Sequence, residues 1–147
     1  MDGDVMNVMV TGGTGFIGSH VIRELLNRGH KAIAFEYFPN IESMAEIAGQ
    51  IEIVKGDVQD LASIVDTIKK YDVTHIVHTV SLLTVESQKR PLTALKINVK
   101  GTVNVLEAAR LMDVTQVVYL SSTAVYGYTE EEKVIDEDHP QRPVTIY

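Results

Sequence analysis

Apolar residues along this chain alternate between two spacings, and this predicts strands and helices that follow one another in turn. Short, unbroken apolar runs predict five strands, at residues 6–10, 31–35, 51–54, 75–80 and 116–120. Between the first two runs, apolar side chains recur at helical spacing from Phe16 onward, and Gly29 ends that helix. Further helices are predicted from the cap Asp60 to about residue 71, over 92–112 and, more weakly, over 41–49.

The order of these elements predicts an α/β fold with a doubly wound parallel sheet. Strands with no polar alternation suit a parallel sheet that is covered on both faces, and right-handed crossovers then place helices on each side. The 147 residues are enough for one domain with a core but leave no room for a second. The tail, 121–147, carries acidic clusters at 130–132 and 136–138 with two prolines, so we expect a solvated loop with at most a short turn.

A glycine-rich segment lies between the first strand and the first helix. Gly12, Gly15 and Gly18 permit a tight turn, a close approach of main chain to an anion, and close packing of the helix on the sheet. A run of this kind is also compatible with an ordinary tight turn. The strand before it and the helix after it favour a pyrophosphate site at the helix N-terminus, and Glu36 ends the next strand where such units hold an adenosine ribose.

Composition and charge narrow the range of partners. Thirteen basic residues against twenty acidic ones give a formal charge of −7, which argues against a nucleic-acid or anionic-membrane partner. The sequence has no cysteine, no apolar run of membrane-spanning length and no basic start typical of a secretory signal, so a cytoplasmic location is expected. No metal site is expected, because His75 and His78 are three apart on a strand and would face opposite sides.

Several motifs occur in one order, and together they are far more specific than any one alone. They are TGGTGFIG at 11–18, GDV at 56–58, NVKGT at 98–102, SSTAVYG at 121–127 and a final Tyr147. In these motifs the chain resembles the extended short-chain dehydrogenase/reductase family, in the NAD-dependent epimerase/dehydratase group that includes the UDP-galactose 4-epimerases. The resemblance covers nearly the whole chain and implies a Rossmann-like domain that binds NAD.

The resemblance assigns cofactor contacts residue by residue. It implies that the pyrophosphate loop is lined by Gly12, Gly15, Phe16, Ile17 and Gly18, that Glu36 accepts from the ribose hydroxyls, and that Asp57 and Val58 contact the adenine. Thr79, Val80 and Asn98, the last of which matches the family's structural asparagine, are assigned to the cofactor side of the site. An acidic Glu36 would repel a 2′-phosphate, which favours NAD over NADP. From sequence alone, Asp57 is equally plausible as a turn residue before the following helix.

The same resemblance implies the catalytic pair. Tyr147 would exchange a proton with a substrate hydroxyl during hydride transfer, and the Ser122 hydroxyl would donate to the same oxygen. Without the motif, Ser122 would be interpreted as a serine that caps backbone groups at a strand end. Dehydratases of the family usually carry a glutamate where this chain has Ala124, so a sugar-nucleotide epimerase is favoured.

Two alternatives stay open at this level. Val80 stands where the family usually has a small residue, and with Leu82 and Leu83 it would suit a reductase or hydroxysteroid-type dehydrogenase that acts on a small-molecule alcohol. The other alternative is an NAD-sensing module that keeps the glycine turn and has lost the chemistry.

The motif comparison also predicts what lies outside these residues. The family's Tyr-x-x-x-Lys lysine would fall four positions after Tyr147, so we expect residues 1–147 to form an NAD-binding domain that is incomplete at its C-terminal end. The later strands and the substrate domain would follow, and the 147 residues alone would show no turnover. By the same resemblance, a longer protein would form a homodimer through the helix predicted at 92–112 and a further helix that begins near Tyr147.

Overall fold

A parallel sheet forms the centre of the computed structural model, which describes residues 4–128 and 134–147. Within these residues the sheet has five strands in the order β3-β2-β1-β4-β5, and every pairing is parallel. The strands are β1 (Asn7–Thr11), β2 (Lys31–Glu36), β3 (Glu52–Lys55), β4 (His75–His78) and β5 (Gln116–Tyr119). The predicted α/β, doubly wound, Rossmann-like fold is therefore confirmed.

Helices cover both faces of this sheet. They are α1 (Phe16–Asn27), α2 (Leu61–Tyr71), α3 (Thr84–Lys89), α4 (Pro91–Ala94) and α5 (Thr102–Leu111), with a π-helical turn (Leu95–Gly101) that joins α4 to α5. Short 3-10 turns lie at Glu42–Met44 and Thr123–Tyr126.

The core is divided into two layers by the alternation of side chains along β1. Met9 packs on one face with residues of α2 and α5, such as Ile64 and Val105. Its neighbours Val8 and Val10 point to the other face, where they pack with Ile22 of α1. The unbroken apolar character of β1 thus reflects burial on both sides.

The strand order places a crevice at the carboxyl end of the sheet. β1 pairs with β2 on one side and with β4 on the other, so the chain runs outward from β1 in opposite directions. The connections that leave β1 and β4 diverge at this point, and ligands of open α/β sheets bind in the gap between such connections.

Local signals that were predicted for the helix ends are confirmed. Asp60 is the N-cap of α2, and its carboxylate accepts from the Ala62 N–H at 3.1 Å. Gly29 follows α1 in the left-handed region, with φ +79°, and its N–H donates to the Leu26 carbonyl at 2.9 Å.

Four features differ from the prediction. The weak helix expected at 41–49 is only the 3-10 turn Glu42–Met44, followed by further turns. The fourth strand ends at His78 and not at residue 80, because the Thr79 hydroxyl donates to the Thr11 carbonyl at 2.7 Å as the chain leaves the sheet. The predicted helix over 92–112 is present but contains the π-helical turn, and α3 was not predicted.

Exposed apolar side chains form a stripe along the outer side of α4, the π-helical turn and α5. Its members are Leu92, Leu95, Val99, Val103 and Leu106. Among the described residues, no helix combines the length and the apolar character that a bilayer span requires. The acidic residues 136–138 of the tail are exposed, as predicted, whereas 130–132 lie outside the described residues.

Candidate functional site

The glycine turn joins β1 to α1 with the backbone geometry that the sequence predicts. Gly12 has φ +71°, a left-handed conformation that favours glycine, and its N–H donates to the Phe35 carbonyl of β2 at 2.9 Å. The Gly15 N–H then donates back to the Gly12 carbonyl at 3.0 Å and closes the turn. A Cβ at Gly18 would collide with that same carbonyl, so α1 approaches the turn only because residue 18 lacks a side chain.

A cavity of about 310 Å³ opens beside this turn. All five residues that the resemblance assigned to the pyrophosphate loop line it: Gly12, Gly15, Phe16, Ile17 and Gly18. Glu36, Thr79 and Val80 border the same space. The Phe16 ring is 84% exposed at the mouth of the cavity, where it contacts the His20 ring at a centroid distance of 4.9 Å.

A second cavity, of about 280 Å³, lies at the carboxyl ends of β2 and β3. Glu36, Asp57 and Val58 line it. The two oxygens of Asp57 accept from the backbone N–H of Gln59 at 2.9 Å and from its side-chain amide at 3.3 Å. Asp57 is therefore a turn residue, as one sequence-based interpretation held, and it also borders the cavity that the other interpretation assigned to adenine.

A third cavity, of about 120 Å³, contains both residues of the expected catalytic pair. Ser122 and Tyr147 line it together with Val80 and Asn98. Ser122 Oγ accepts from the Ala124 N–H at 3.2 Å and so caps the 3-10 turn. Capping uses an oxygen lone pair and leaves the hydroxyl hydrogen free to donate elsewhere.

The three cavities adjoin one another. Glu36 borders the first and second, Ser81 borders the first and third, and Val80 borders all three. They lie side by side along the carboxyl ends of the five strands, and together we call them the groove; Val80 borders each of its three parts. Every residue that the sequence assigned to the site lines this groove.

A chain of hydrogen bonds beneath the groove links its two sides. His78 Nδ1 lies 2.6 Å from the Thr11 hydroxyl, and Nε2 lies 3.1 Å from the Thr102 hydroxyl. Because the Thr102 hydroxyl hydrogen is donated to the Asn98 carbonyl at 2.6 Å, its oxygen accepts from His78, so Nε2 carries the proton. His78 is thus a neutral imidazole, only 1% exposed, and burial lowers its pKa from 6.5 to about 4.

The histidine pair of β4 is not part of a metal cluster in the described residues, which contain no suitably placed group of three His, Cys, Asp or Glu side chains. His75 Nδ1 instead lies 2.9 Å from the hydroxyl of Thr74.

Asn98 fixes the segment that follows β4. Its side-chain oxygen accepts from the Leu82 N–H at 2.7 Å, and its amide donates to the Leu82 carbonyl at 3.1 Å. Asn98 belongs to the π-helical turn, whose hydrogen bonds reach five residues back and widen the helix locally. The turn therefore presents Asn98 to the loop and accounts for an asparagine inside a helix.

The residues that form these three cavities all lie within a segment that matches a known protein family. Residues 8–147 match the NAD-dependent epimerase/dehydratase family. The chain belongs to this family.

Members of the family are similar to this chain in both sequence and structure. The UDP-glucose 4-epimerase of Rhizobium leguminosarum bv. trifolii is 34% identical over 141 residues, which make up 95% of this chain and 42% of that protein. The Thermus thermophilus UDP-glucose 4-epimerase in complex with NAD superposes with a TM-score of 0.87 at 30% identity, over 97% of this chain and 46% of the other. The Bifidobacterium longum UDP-glucose 4-epimerase in complex with NAD+ and UDP gives 0.84 at 30% identity, over 93% and 43%. The chain therefore spans less than half the length of these relatives.

Sequence reasoning missed several residues of the groove in this family member. Tyr37, Gln59, Thr93 and Ile97 line the second cavity, and Thr14 lies under the carboxylate of Glu36. Gln59 follows Asp57 by two positions, a spacing at which an Asx turn forms, so this pair carried a signal. Thr93 and Ile97 carried none, because only the packing of α4 and the π-helical turn brings them to the groove.

Proposed function

We propose that this chain is the NAD-binding part of a nucleotide-sugar epimerase, in which Tyr147 transfers the proton and Ser122 donates a hydrogen bond to the reacting oxygen. The observation that carries the proposal is that Ser122 and Tyr147 line a cavity that shares Val80 and Ser81 with the cavity beside the glycine turn. A cofactor that extends along that groove would bring its reactive end to this pair of hydroxyls.

The residues of the groove suit a dinucleotide. The first N–H groups of α1 have no partner within the helix, and the N-cap Gly15 has no side chain to satisfy them, so they can donate to a pyrophosphate. A Cβ at Gly15 would meet no atom but the Gly12 carbonyl, at 3.1 Å, so the space above residue 15 belongs to the groove. Glu36, between the first and second cavities, offers a carboxylate that can accept from ribose hydroxyls.

Two hydroxyls would perform the proton chemistry. NAD, when bound, supplies the position that accepts hydride and returns it. Tyr147 would take the proton from the substrate hydroxyl and give it back, and Ser122 would hold that oxygen by donating its free hydroxyl hydrogen. Ala124 lines the same cavity and adds no acid or base, which favours an oxidation and re-reduction cycle over a dehydration.

The identity of the substrate is inferred from relatives. The relatives above are UDP-glucose 4-epimerases, and one of them is in complex with NAD+ and UDP. A UDP-sugar is accordingly the substrate that we propose for the whole protein. We also propose a homodimer, because the apolar stripe on α4, the π-helical turn and α5 is exposed.

Titration of the purified protein with NAD in a calorimeter tests the cofactor assignment. Gly15→Val places two methyl groups in the pyrophosphate space and is expected to abolish NAD binding. Gly49→Val is the matched control, because a Cβ at residue 49 meets no atom within 4 Å, and it should bind NAD as the unaltered chain does. Undiminished affinity in Gly15→Val would refute the assignment of the glycine turn.

A second candidate function has one observation in its favour. Val80 borders all three cavities, and Leu83, which is 65% exposed, lines the glycine-turn groove, so the groove has an apolar wall. Such a wall suits a reductase or dehydrogenase for an apolar alcohol. Calorimetric titration of the NAD complex with UDP-glucose and, separately, with an apolar secondary alcohol separates the two functions. Because the substrate domain is expected to lie outside residues 1–147, this titration is made on the longer protein, where binding of NAD with neither second ligand would favour an NAD-sensing module.

A further inference from the structure

Thr14, inside the glycine turn, contacts Glu36 and the loop after β2 through its side chain. The residue is 6% exposed, and its hydroxyl oxygen lies 3.3 Å from Glu36 Oε2 and 3.0 Å from the Asn40 backbone nitrogen. The Asn40 N–H can only donate, so the Thr14 hydroxyl accepts from it and gives its single hydrogen to Glu36. One buried hydroxyl therefore joins the glycine turn, the acidic residue of β2 and the loop after β2.

The second oxygen of Glu36 is also held. Oε1 accepts from the Tyr37 N–H at 3.0 Å. Each carboxylate oxygen thus has one donor from the protein and keeps a lone pair free. The residue borders both the first cavity, beside the glycine turn, and the second cavity, at the ends of β2 and β3. A carboxylate fixed at both oxygens presents its remaining lone pairs in one direction, which two neighbouring ribose hydroxyls can use together.

The loop after β2 is fastened at the same point. The Ser43 hydroxyl donates to the Asn40 carbonyl at 2.8 Å and lies 3.3 Å from the Thr14 carbonyl. The loop carries Tyr37, which lines the second cavity. The loop is therefore held both by Thr14, through the Asn40 amide, and by Glu36, through the Tyr37 amide.

We propose that Thr14 is a positioning residue for cofactor selection: its hydroxyl holds the Glu36 carboxylate where it accepts the adenosine ribose and excludes a 2′-phosphate. This inference rests on the proposed function, which assigns Glu36 to the ribose. Without the Thr14 hydroxyl, the carboxylate can turn toward solvent. It then both loses its paired acceptance of ribose hydroxyls and repels a phosphate less.

The test compares dissociation constants for NAD and NADP, measured by calorimetry on the purified protein. Thr14→Val removes the hydroxyl and keeps the branched shape. It should weaken NAD binding about tenfold and reduce the preference for NAD over NADP by a similar factor, the size expected for one hydrogen bond to a charged group. Thr14→Ser keeps the hydroxyl and should keep the preference. Thr14→Ala replaces the valine variant if that variant does not fold.

Ser43→Ala is the matched control, because it loosens the same loop without removing the Thr14–Glu36 hydrogen bond. It should leave the ratio of the two dissociation constants close to that of the unaltered chain. In a Glu36→Gln background, Thr14→Val should have little further effect on that ratio, because both changes act through the same carboxylate.

The outcomes separate this inference from the function on which it rests. If the unaltered chain binds NAD and Glu36→Gln relaxes the preference, but Thr14→Val lowers only the melting temperature, Thr14 is structural and the inference is overturned alone. If Ser43→Ala changed the ratio of the NAD and NADP dissociation constants as much as Thr14→Val does, the inference would also be overturned. Loosening of the loop alone would then explain the loss of preference. If the unaltered chain binds no NAD, both the proposed function and this inference are overturned.

Discussion

His78 is expected to make the free energy of unfolding depend on pH in the weakly acidic range. Burial lowers its pKa from 6.5 to about 4 in the folded chain, so between these values the unfolded state binds more protons than the folded state. The contribution of His78 to the free energy of unfolding is therefore present above pH 6.5 and is lost as the pH falls toward 4. The difference corresponds to about 3 kcal/mol in total, of which about 2 kcal/mol should be lost between pH 7 and pH 5.

Burial is the cause of the lowered pKa of His78, because it removes the water that would stabilise a charged ring, and the hydrogen bonds of the site leave no place for a second ring proton. Thr102 accepts from Nε2 and Thr11 donates to Nδ1, so a second ring proton on Nδ1 would leave the Thr11 hydroxyl without its acceptor. The stacked ring of Tyr119, with a centroid distance of 5.8 Å, offers no charge to compensate for a buried imidazolium. Protonation therefore favours the unfolded state.

Urea unfolding at pH 7, 6 and 5 measures the effect, with His78→Gln as the comparison. The glutamine amide reaches the region of Nε2 and does not titrate, while the other histidines and the carboxylates contribute nearly equally to both proteins and largely cancel in the difference. The unaltered chain should lose about 2 kcal/mol more than the variant between pH 7 and 5. Equal losses, or a nitrogen NMR spectrum that shows the proton of His78 on Nδ1, would refute the reasoning.

Two further predictions concern the turn and the centre of the groove. Gly18→Ala should destabilise the fold by about 2 kcal/mol, because its Cβ collides with the Gly12 carbonyl and α1 must move away from the turn; thermal unfolding beside Gly49→Ala checks this, and equal melting temperatures would contradict it. Val80→Ala removes two methyl groups that border all three cavities and should tighten NAD binding roughly three- to fivefold, a change of less than about 1 kcal/mol. Calorimetric affinity that stays the same or falls would show that Val80 does not narrow the groove.

The sheet could be predicted because each strand contains consecutive apolar residues and because capping and turn residues mark where the helices between the strands begin and end. Asp60 and Gly29 begin or end helices by local hydrogen bonds, which depend on neighbouring residues alone. The segment 41–49 shows the opposite case. Its apolar spacing resembles a helix, but Asn40 and Ser43 are bonded to Thr14, and these contacts with a distant turn leave room for only a 3-10 turn.

The candidate site was predictable where chemistry depends on residue type. The spacing of residues along the sequence was enough to locate the glycine turn, the acidic residue that ends β2, and the serine–tyrosine pair. The hydrogen bonds between Thr11, His78 and Thr102 join three separate elements that lie far apart in the sequence. Such contacts form only when distant segments come together in the folded chain, so no local sequence pattern predicts them. The roles assigned to the site residues stay predictions.

The π-helical turn at Leu95–Gly101 has a consequence for how this chain tolerates changes in length. Such a turn contains one residue more than an α-helix of the same length. It therefore corresponds to a single-residue insertion that the helix accommodates by widening locally. Deleting one residue there would restore regular winding and keep α5 in phase with the core, while Asn98 would rotate away from Leu82. Gene variants shortened by one codon in this stretch would thus fold normally and yet lose the alignment of the loop beside the cofactor groove.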